Sequence, residues 1–162
     1  MDVLIREIRK SDHDMWLSMY RRLWPEYTDE ALEAEMNRIF KSSKRSAYVA
    51  LVGEHSAGFA EYALRDYANG CNSQPVPFLE GVWVSEEYRA QGIAKALVQY
   101  LEKKAKMAGF KEFGSDVEHS NYPSQIMHER LGFERTETVI FYALHPDRKS
   151  TRLNSSHLGI SY

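Results

Sequence analysis

From Leu79 to Val117 the chain reads as an apolar strand, a turn, an amphipathic helix and a second short strand. Phe78 to Val84 is apolar and β-branched. From Ala90 to Gly109, Ile93, Leu97, Tyr100 and Leu101 recur at helical spacing. Lys95, Glu102, Lys103 and Lys106 fall on the other faces, and Gly109 ends the helix. Phe113 to Val117 supplies the second strand. A strand that returns to its sheet through a helix comes back parallel, by a right-handed crossover. This unit sets the fold class as α/β.

The flanking segments add to it. Val3 to Arg9 alternates as a first strand. Asp12 is expected to cap a helix whose stripe Trp16, Tyr20, Leu23, Trp24 ends at Pro25, and Thr28 to cap a second helix with Leu32, Met36, Ile39 and Phe40 on one side. Ala47 to Val52 and Ala57 to Arg65 form a β-hairpin around Gly53. The turn-rich run from Asn69 to Pro75 leads into the fourth strand. Ser124 to Leu131 reads as a short helix closed by Gly132, and Thr136 to Leu144 as a last strand. The expected order is β-α-α-β-β-β-α-β-α-β, with residues 1–146 as one domain. Residues 147–162, rich in Ser, Arg and Asn and without period, are expected to be a disordered or appended tail.

Charge and composition exclude several functions. Lys and Arg number 21 against 23 Asp and Glu, a formal −2, and residues 1–146 alone carry −4; no basic excess marks a nucleic-acid binder. No apolar run approaches the roughly 20 residues that span a bilayer. A lone cysteine, Cys71, and a start without a signal-peptide core point to the cytoplasm. His13, His55, His119, His128, His145 and His157 show no metal-ligand spacing, so no metal is expected.

The chemistry concentrates at the turn after the fourth strand. In Arg89-Ala90-Gln91-Gly92-Ile93-Ala94, small residues at the start of a helix let a ligand approach the backbone, where free N–H groups and the positive dipole end favour phosphate. A turn using Gly92 for packing alone is the bland alternative.

This segment resembles the pyrophosphate loop Q/R-x-x-G-x-G/A of the GNAT acetyltransferases, with Ala94 in the last place. Asn121 through Gly132-Phe133 resembles their second signature, with Ser124 for Ala and His128 for Tyr. Leu23-Trp24-Pro25-Glu26, Arg65 to Gly70, Phe78 to Gly81, Gly114-Ser115-Asp116, Leu131 to Glu134 and Val139 to Tyr142 look like the aminoglycoside 6'-N-acetyltransferases, the resistance enzymes. The resemblance covers residues 1 to about 145. It implies the GNAT fold, a mixed central sheet whose fourth and fifth strands splay apart around acetyl-CoA. It implies that Val82 and Val84 line the cofactor, with the Val84 N–H polarising the thioester carbonyl. The amides of Gln91, Gly92, Ile93, Ala94 and Lys95 would hold the pyrophosphate, and Arg89, Ala90, Asn121 and Ser124 would add cofactor contacts.

Acetyl transfer needs a neutral amine, a donor to the developing oxyanion and a route for a proton, but no covalent nucleophile. Cys71 is therefore expected to be inert. An aminoglycoside is a polycation, so its site calls for acids: Glu26, Asp66, Glu80, Asp116 and Glu137 are the candidates, with Trp24 and Tyr67 to stack on sugar rings. Asp116 and Glu137 stand out as charges expected inside core strands, and Asp116 is also a candidate for proton handling. His128 either protonates the leaving thiolate or packs a helix. A homodimer is expected from an exposed β-edge at the last strand. Acetylation of another amine, such as a polyamine or peptide N-terminus, and a non-catalytic acyl-CoA sensor both remain open on this evidence.

Overall fold

The computed structural model describes residues 1–147; all but the first residue of the expected 147–162 tail lies outside the described residues. The elements are β1 (Val3–Glu7), α1 (His13–Leu23), α2 (Asp29–Lys41), β2 (Arg45–Val52), β3 (His55–Arg65), β4 (Val76–Val84), α3 (Ile93–Met107), β5 (Gly114–Ser115) and α4 (Tyr122–Arg130). One sheet holds the strands in the order β1-β2-β3-β4-β5. The first three pairings are antiparallel and β4–β5 is parallel, as the helical crossover requires.

Each face of the sheet carries its own core. The stripe read from the sequence lays α1 and α2 on one face, where Trp16, Tyr20, Met36 and Ile39 pack on Val49 and Phe59. On the other, α3 buries Ile93, Leu97, Val98 and Leu101 against Ala50, Ala60 and Leu79. Thr28 caps α2 as expected, its Oγ1 accepting the Ala31 N–H at 3.2 Å. Asp12 does not cap α1 with its side chain. It takes a two-pronged pair from Arg6 (2.7 and 2.9 Å) and the Arg9 N–H (2.8 Å), tying β1 to the helix start.

Two strand expectations are corrected. The fifth strand is two residues long, and Thr136–Leu144 forms no strand. A strand takes its length from the edge it pairs with, and β5 offers an edge of only two residues. The segment has no regular structure and turns apolar side chains to solvent, with Phe141 83% and Tyr142 90% exposed.

In the β3–β4 pairing Glu61 opposes Gly81 and Tyr62 opposes Leu79, so Glu80 has no partner across the ladder. This β-bulge resets the alternation of β4. Beyond it, Gly81 and Trp83 face α1; before it, Leu79 faces α3.

Candidate active site

The two-residue pairing of β4 with β5 ends at Leu79–Ser115, while β4 continues to Val84. From Glu80 onward the side of β4 turned away from β3 is therefore open. The Ser85 N–H donates to Ala57 at 2.9 Å, toward β3. Strand alternation then turns the Val84 and Val82 N–H groups the other way, into the open side. Arg89 reaches back to this place, its Nε donating to the Val84 carbonyl at 3.1 Å.

The helix that follows begins at the same opening. Gly92 caps α3 at φ +83°, after Ala90 at φ +58°. The Ala96 N–H finds the Gly92 carbonyl at 2.9 Å, which leaves the amides of Ile93, Ala94 and Lys95 as the orphan donors of the first turn. Among the described residues a Cβ at Gly92 would meet no heavy atom within 4 Å, so nothing crowds the cap position of the helix. An anion such as a pyrophosphate fits donors of this kind and the dipole behind them.

Beside the strands lies a cleft of about 1040 Å³ whose walls include Arg65, Phe78, Ser115, Asp116, His128 and Glu137. Seven carboxylates, Asp116, Glu118, Glu134 and Glu137 among them, line it against Arg65, Lys111 and Arg135. Asp116 and Glu137 thus share one cleft, but not for the expected reason. Asp116 lies just past the end of β5 and is exposed, and Glu137 sits in the irregular, exposed segment; neither is inside a strand. Trp24, Glu26, Asp66, Tyr67 and Glu80 are not on its walls.

Each of those five has a definite place. Trp24 completes the α1 stripe, meets Tyr20 edge to face at 4.8 Å, and lies over Gly81, where a Cβ would come within 3.2 Å of its ring. Glu26 is exposed in the α1–α2 loop, and Tyr67 is 67% exposed. Asp66 pairs with Lys44 at 2.9 Å. Glu80 is held by Arg65 through two bonds of 2.7 Å, and the Arg65 guanidinium lies 3.6 Å above the Phe78 ring. Arg65 is the site neighbour that sequence reasoning missed.

His128 links α4 to β5. Its Nδ1 is 2.7 Å from the Ser124 carbonyl, which can only accept, so Nδ1 carries hydrogen. Nε2, 2.8 Å from Ser115 Oγ, then accepts in the neutral ring and donates in the charged one. Ser115 Oγ lies 3.2 Å from the Leu79 carbonyl, so its hydrogen has a place to go in either case. Ser115, which the sequence marked only as part of the Gly114-Ser115-Asp116 likeness and gave no role, makes this exchange possible. Asn121 Oδ1 caps α4 by accepting the Ser124 N–H at 3.2 Å. Burial and Glu112 push the Cys71 thiol up, away from thiolate.

Sequence and structure comparisons agree with this geometry. The profile of the acetyltransferase (GNAT) family matches residues 16–133. An aminoglycoside N(6')-acetyltransferase type 1 of Serratia marcescens is 44% identical over 137 residues, 81% of this chain and 93% of that protein. One from Salmonella typhimurium is 37% identical over 139 residues, 85% and 96% of the two chains. Among solved structures, AAC(6')-Iy in complex with the bisubstrate analogue CoA-S-monomethyl-acetylneamine superposes with a TM-score of 0.84 at 35% identity, covering 90% of this chain and 99% of that one. On these grounds, together with the diverging β4 and β5 and the open start of α3, the chain belongs to the GNAT acetyltransferase family.

Proposed function

We propose that this protein transfers the acetyl group of acetyl-CoA to the 6'-amino group of aminoglycoside antibiotics and so confers resistance to them. The observation that carries the reading is a pair of opposite fields. Orphan amides at the α3 start suit an anionic cofactor, while the acid-lined cleft beside β5 suits a polycation. The names of the relatives, which are aminoglycoside N(6')-acetyltransferases, support the choice of acceptor.

When bound, acetyl-CoA supplies an acetyl group already activated as a thioester. The chain's residues do the rest. The amides of Gln91, Gly92, Ile93, Ala94 and Lys95 present the pyrophosphate site, and Arg89, Ala90 and, from the start of α4, Asn121 and Ser124 add cofactor contacts. Val82 and Val84 line the open edge of β4, and the Val84 N–H donates to the carbonyl oxygen as it gains charge. Asp116 and Glu137 bind acceptor ammonium groups, and Asp116 is placed to take a proton from the reacting amine. Trp24, Glu26, Asp66, Tyr67 and Glu80 form the outer rim around the acceptor. His128 would supply a proton to the departing thiolate through Ser115: the charged ring gives its Nε2 hydrogen to Ser115 Oγ, whose own hydrogen leaves for the sulfur, and the ring is left neutral. Transfer is direct in a ternary complex, since the Cys71 thiol is held away from its nucleophilic form.

The enzyme works in the cytoplasm as a homodimer, with residues 1–146 sufficient for activity. Among the described residues no helix is long and apolar enough to cross a membrane. Val139 to Leu144 presents a run of exposed apolar side chains next to a β5 whose outer edge is unpaired, which suits a second copy.

A thiol-release assay against aminoglycosides with and without a 6'-amine tests the activity. Turnover confined to the 6'-amino compounds is expected. Equal turnover with 6'-hydroxyl analogues would overturn the regiochemistry, and acetyl-CoA binding without any turnover would favour a sensor. Sedimentation of the chain with and without residues 138–147 tests the dimer.

A further inference from the structure

Glu61 is an acidic residue in the most buried stretch of the sheet, 3% exposed, and its Oε1 has no hydrogen-bond partner among the described residues. Nothing in the transfer chemistry above uses it, and a buried acid left half-satisfied is costly to keep. It stands across the ladder from Gly81, on the face covered by α1. The Tyr20 hydroxyl of α1 is placed to donate to it. The Tyr20 ring in turn meets Trp24 at 4.8 Å, and Trp24 lies over Gly81. Carboxyl, phenol, indole and bare strand thus form one closed stack, next to the bulge that aims Glu80.

We propose that Glu61 is a positioning residue for the acceptor, fixing the Trp24 ring through Tyr20 and, once ionised, adding a buried negative charge beneath the acceptor rim. The inference rests on the reading of this site as one for a polycation. The charged and titratable groups facing Glu61 are Tyr20 from α1, Glu35 from α2, Arg45 from β2 and Glu80 from β4. Arg45 is paired with Glu35 at 2.5 Å and Glu80 with Arg65 at 2.7 Å, and among the described residues no salt bridge reaches the Glu61 carboxylate. Burial pushes the Glu61 carboxyl up to about 7; the Tyr20 hydrogen bond and Arg45 pull it down, while Glu35 and Glu80 push it further up. The group is therefore neutral in mild acid and charged in mild base, and a cationic acceptor gains attraction as pH rises through neutrality.

Glu61→Gln keeps the size and the contact to Tyr20 and removes the charge. The experiment measures acceptor and acetyl-CoA KM of parent and variant from pH 6 to 8.5, with an aminoglycoside that the parent acetylates. The ratio of variant to parent acceptor KM is expected near one at pH 6. It rises to about fourfold at pH 8.5, the scale of one charge acting on an ammonium roughly 10 Å away through a partly aqueous path. The acetyl-CoA KM ratio stays at one. A flat acceptor ratio across this range overturns the proposal, even if it is uniformly raised, because a purely structural role has no pH step. Tyr20→Phe provides a second test that does not depend on the folding of the first variant. Loss of the donor moves the pH step of acceptor KM upward, and an unmoved step overturns the proposal. A parent that acetylates no aminoglycoside at any pH overturns this inference together with the functional reading.

Discussion

Replacing Gly92 by alanine separates what a glycine does for the backbone from what it does for a ligand. At φ +83° any L-residue pays a backbone penalty of about 1–2 kcal/mol. The new methyl group meets no heavy atom within 4 Å, so no packing cost is added in the free protein. For a domain of this size the melting temperature should fall by about 2–4 °C per kcal/mol. Gly109, at the other end of the same helix, is the matched control: φ is +90° and its Cβ also meets nothing within 4 Å. Gly109→Ala should therefore destabilise to the same degree. Whereas Gly109 lies past the other end of the helix, Gly92→Ala adds its methyl group at the N-cap of α3, beside the orphan amides of the proposed phosphate site. We expect its acetyl-CoA kcat/KM to fall at least tenfold, about 1.4 kcal/mol, with aminoglycoside KM little changed, and Gly109→Ala to keep parent values for both. Calorimetry of melting together with steady-state kinetics measures the two effects separately. Equal acetyl-CoA kcat/KM in the two variants would refute the assignment of the loop.

Further outcomes follow from other residues. Asp116→Asn and Glu137→Gln should each lower aminoglycoside kcat/KM by about 1–3 kcal/mol while sparing acetyl-CoA KM; loss confined to kcat in Asp116→Asn would mark proton handling, and parent kinetics in both would remove the cleft from acceptor binding. Thr28→Ala removes the side-chain cap of α2 and should cost about 1 kcal/mol in a denaturant titration, without effect on either KM. The Arg6 guanidinium holds the Asp12 carboxyl below its ordinary range, so its contribution is full above the usual carboxylate value and is lost as pH falls through the lowered one. Acid unfolding of Arg6→Gln should accordingly show a smaller loss of stability below about pH 4 than the parent; identical acid limbs would count against that pair.

What the sequence could reveal depended on whether the signal was local. The stripes of α1, α2 and α3, the cap at Thr28 and the hairpin around Gly53 are written within a few residues, and each element formed where its period placed it. The parallel return of β5 followed from the crossover alone. The lengths of strands did not follow, because β5 and the segment after Thr136 take their extent from the partner edge and not from their own residues. That is why Asp116 and Glu137, placed in strands by their neighbours in sequence, stand beyond them. The glycine turn at the start of α3 was legible, since Gly92 carries both the positive φ and the open space. Arg65, Ser115 and Glu61 were not, as their partners Glu80, His128 and Tyr20 lie 13 to 41 positions away along the chain.

The extra residue in β4 has a consequence for how such an enzyme changes over time. Every other position from Phe78 to Val84 is held by a cross-strand partner, so altering it disturbs the ladder as well as its own contacts. Glu80 alone stands outside that bookkeeping, tied only through its side chain to Arg65. A library varied at Glu80 can thus change the charge at the proposed acceptor rim while the ladder of β4 keeps its register. Under selection with a succession of antibiotics, that proposal expects adaptive changes at this position before they reach the paired residues of the strand.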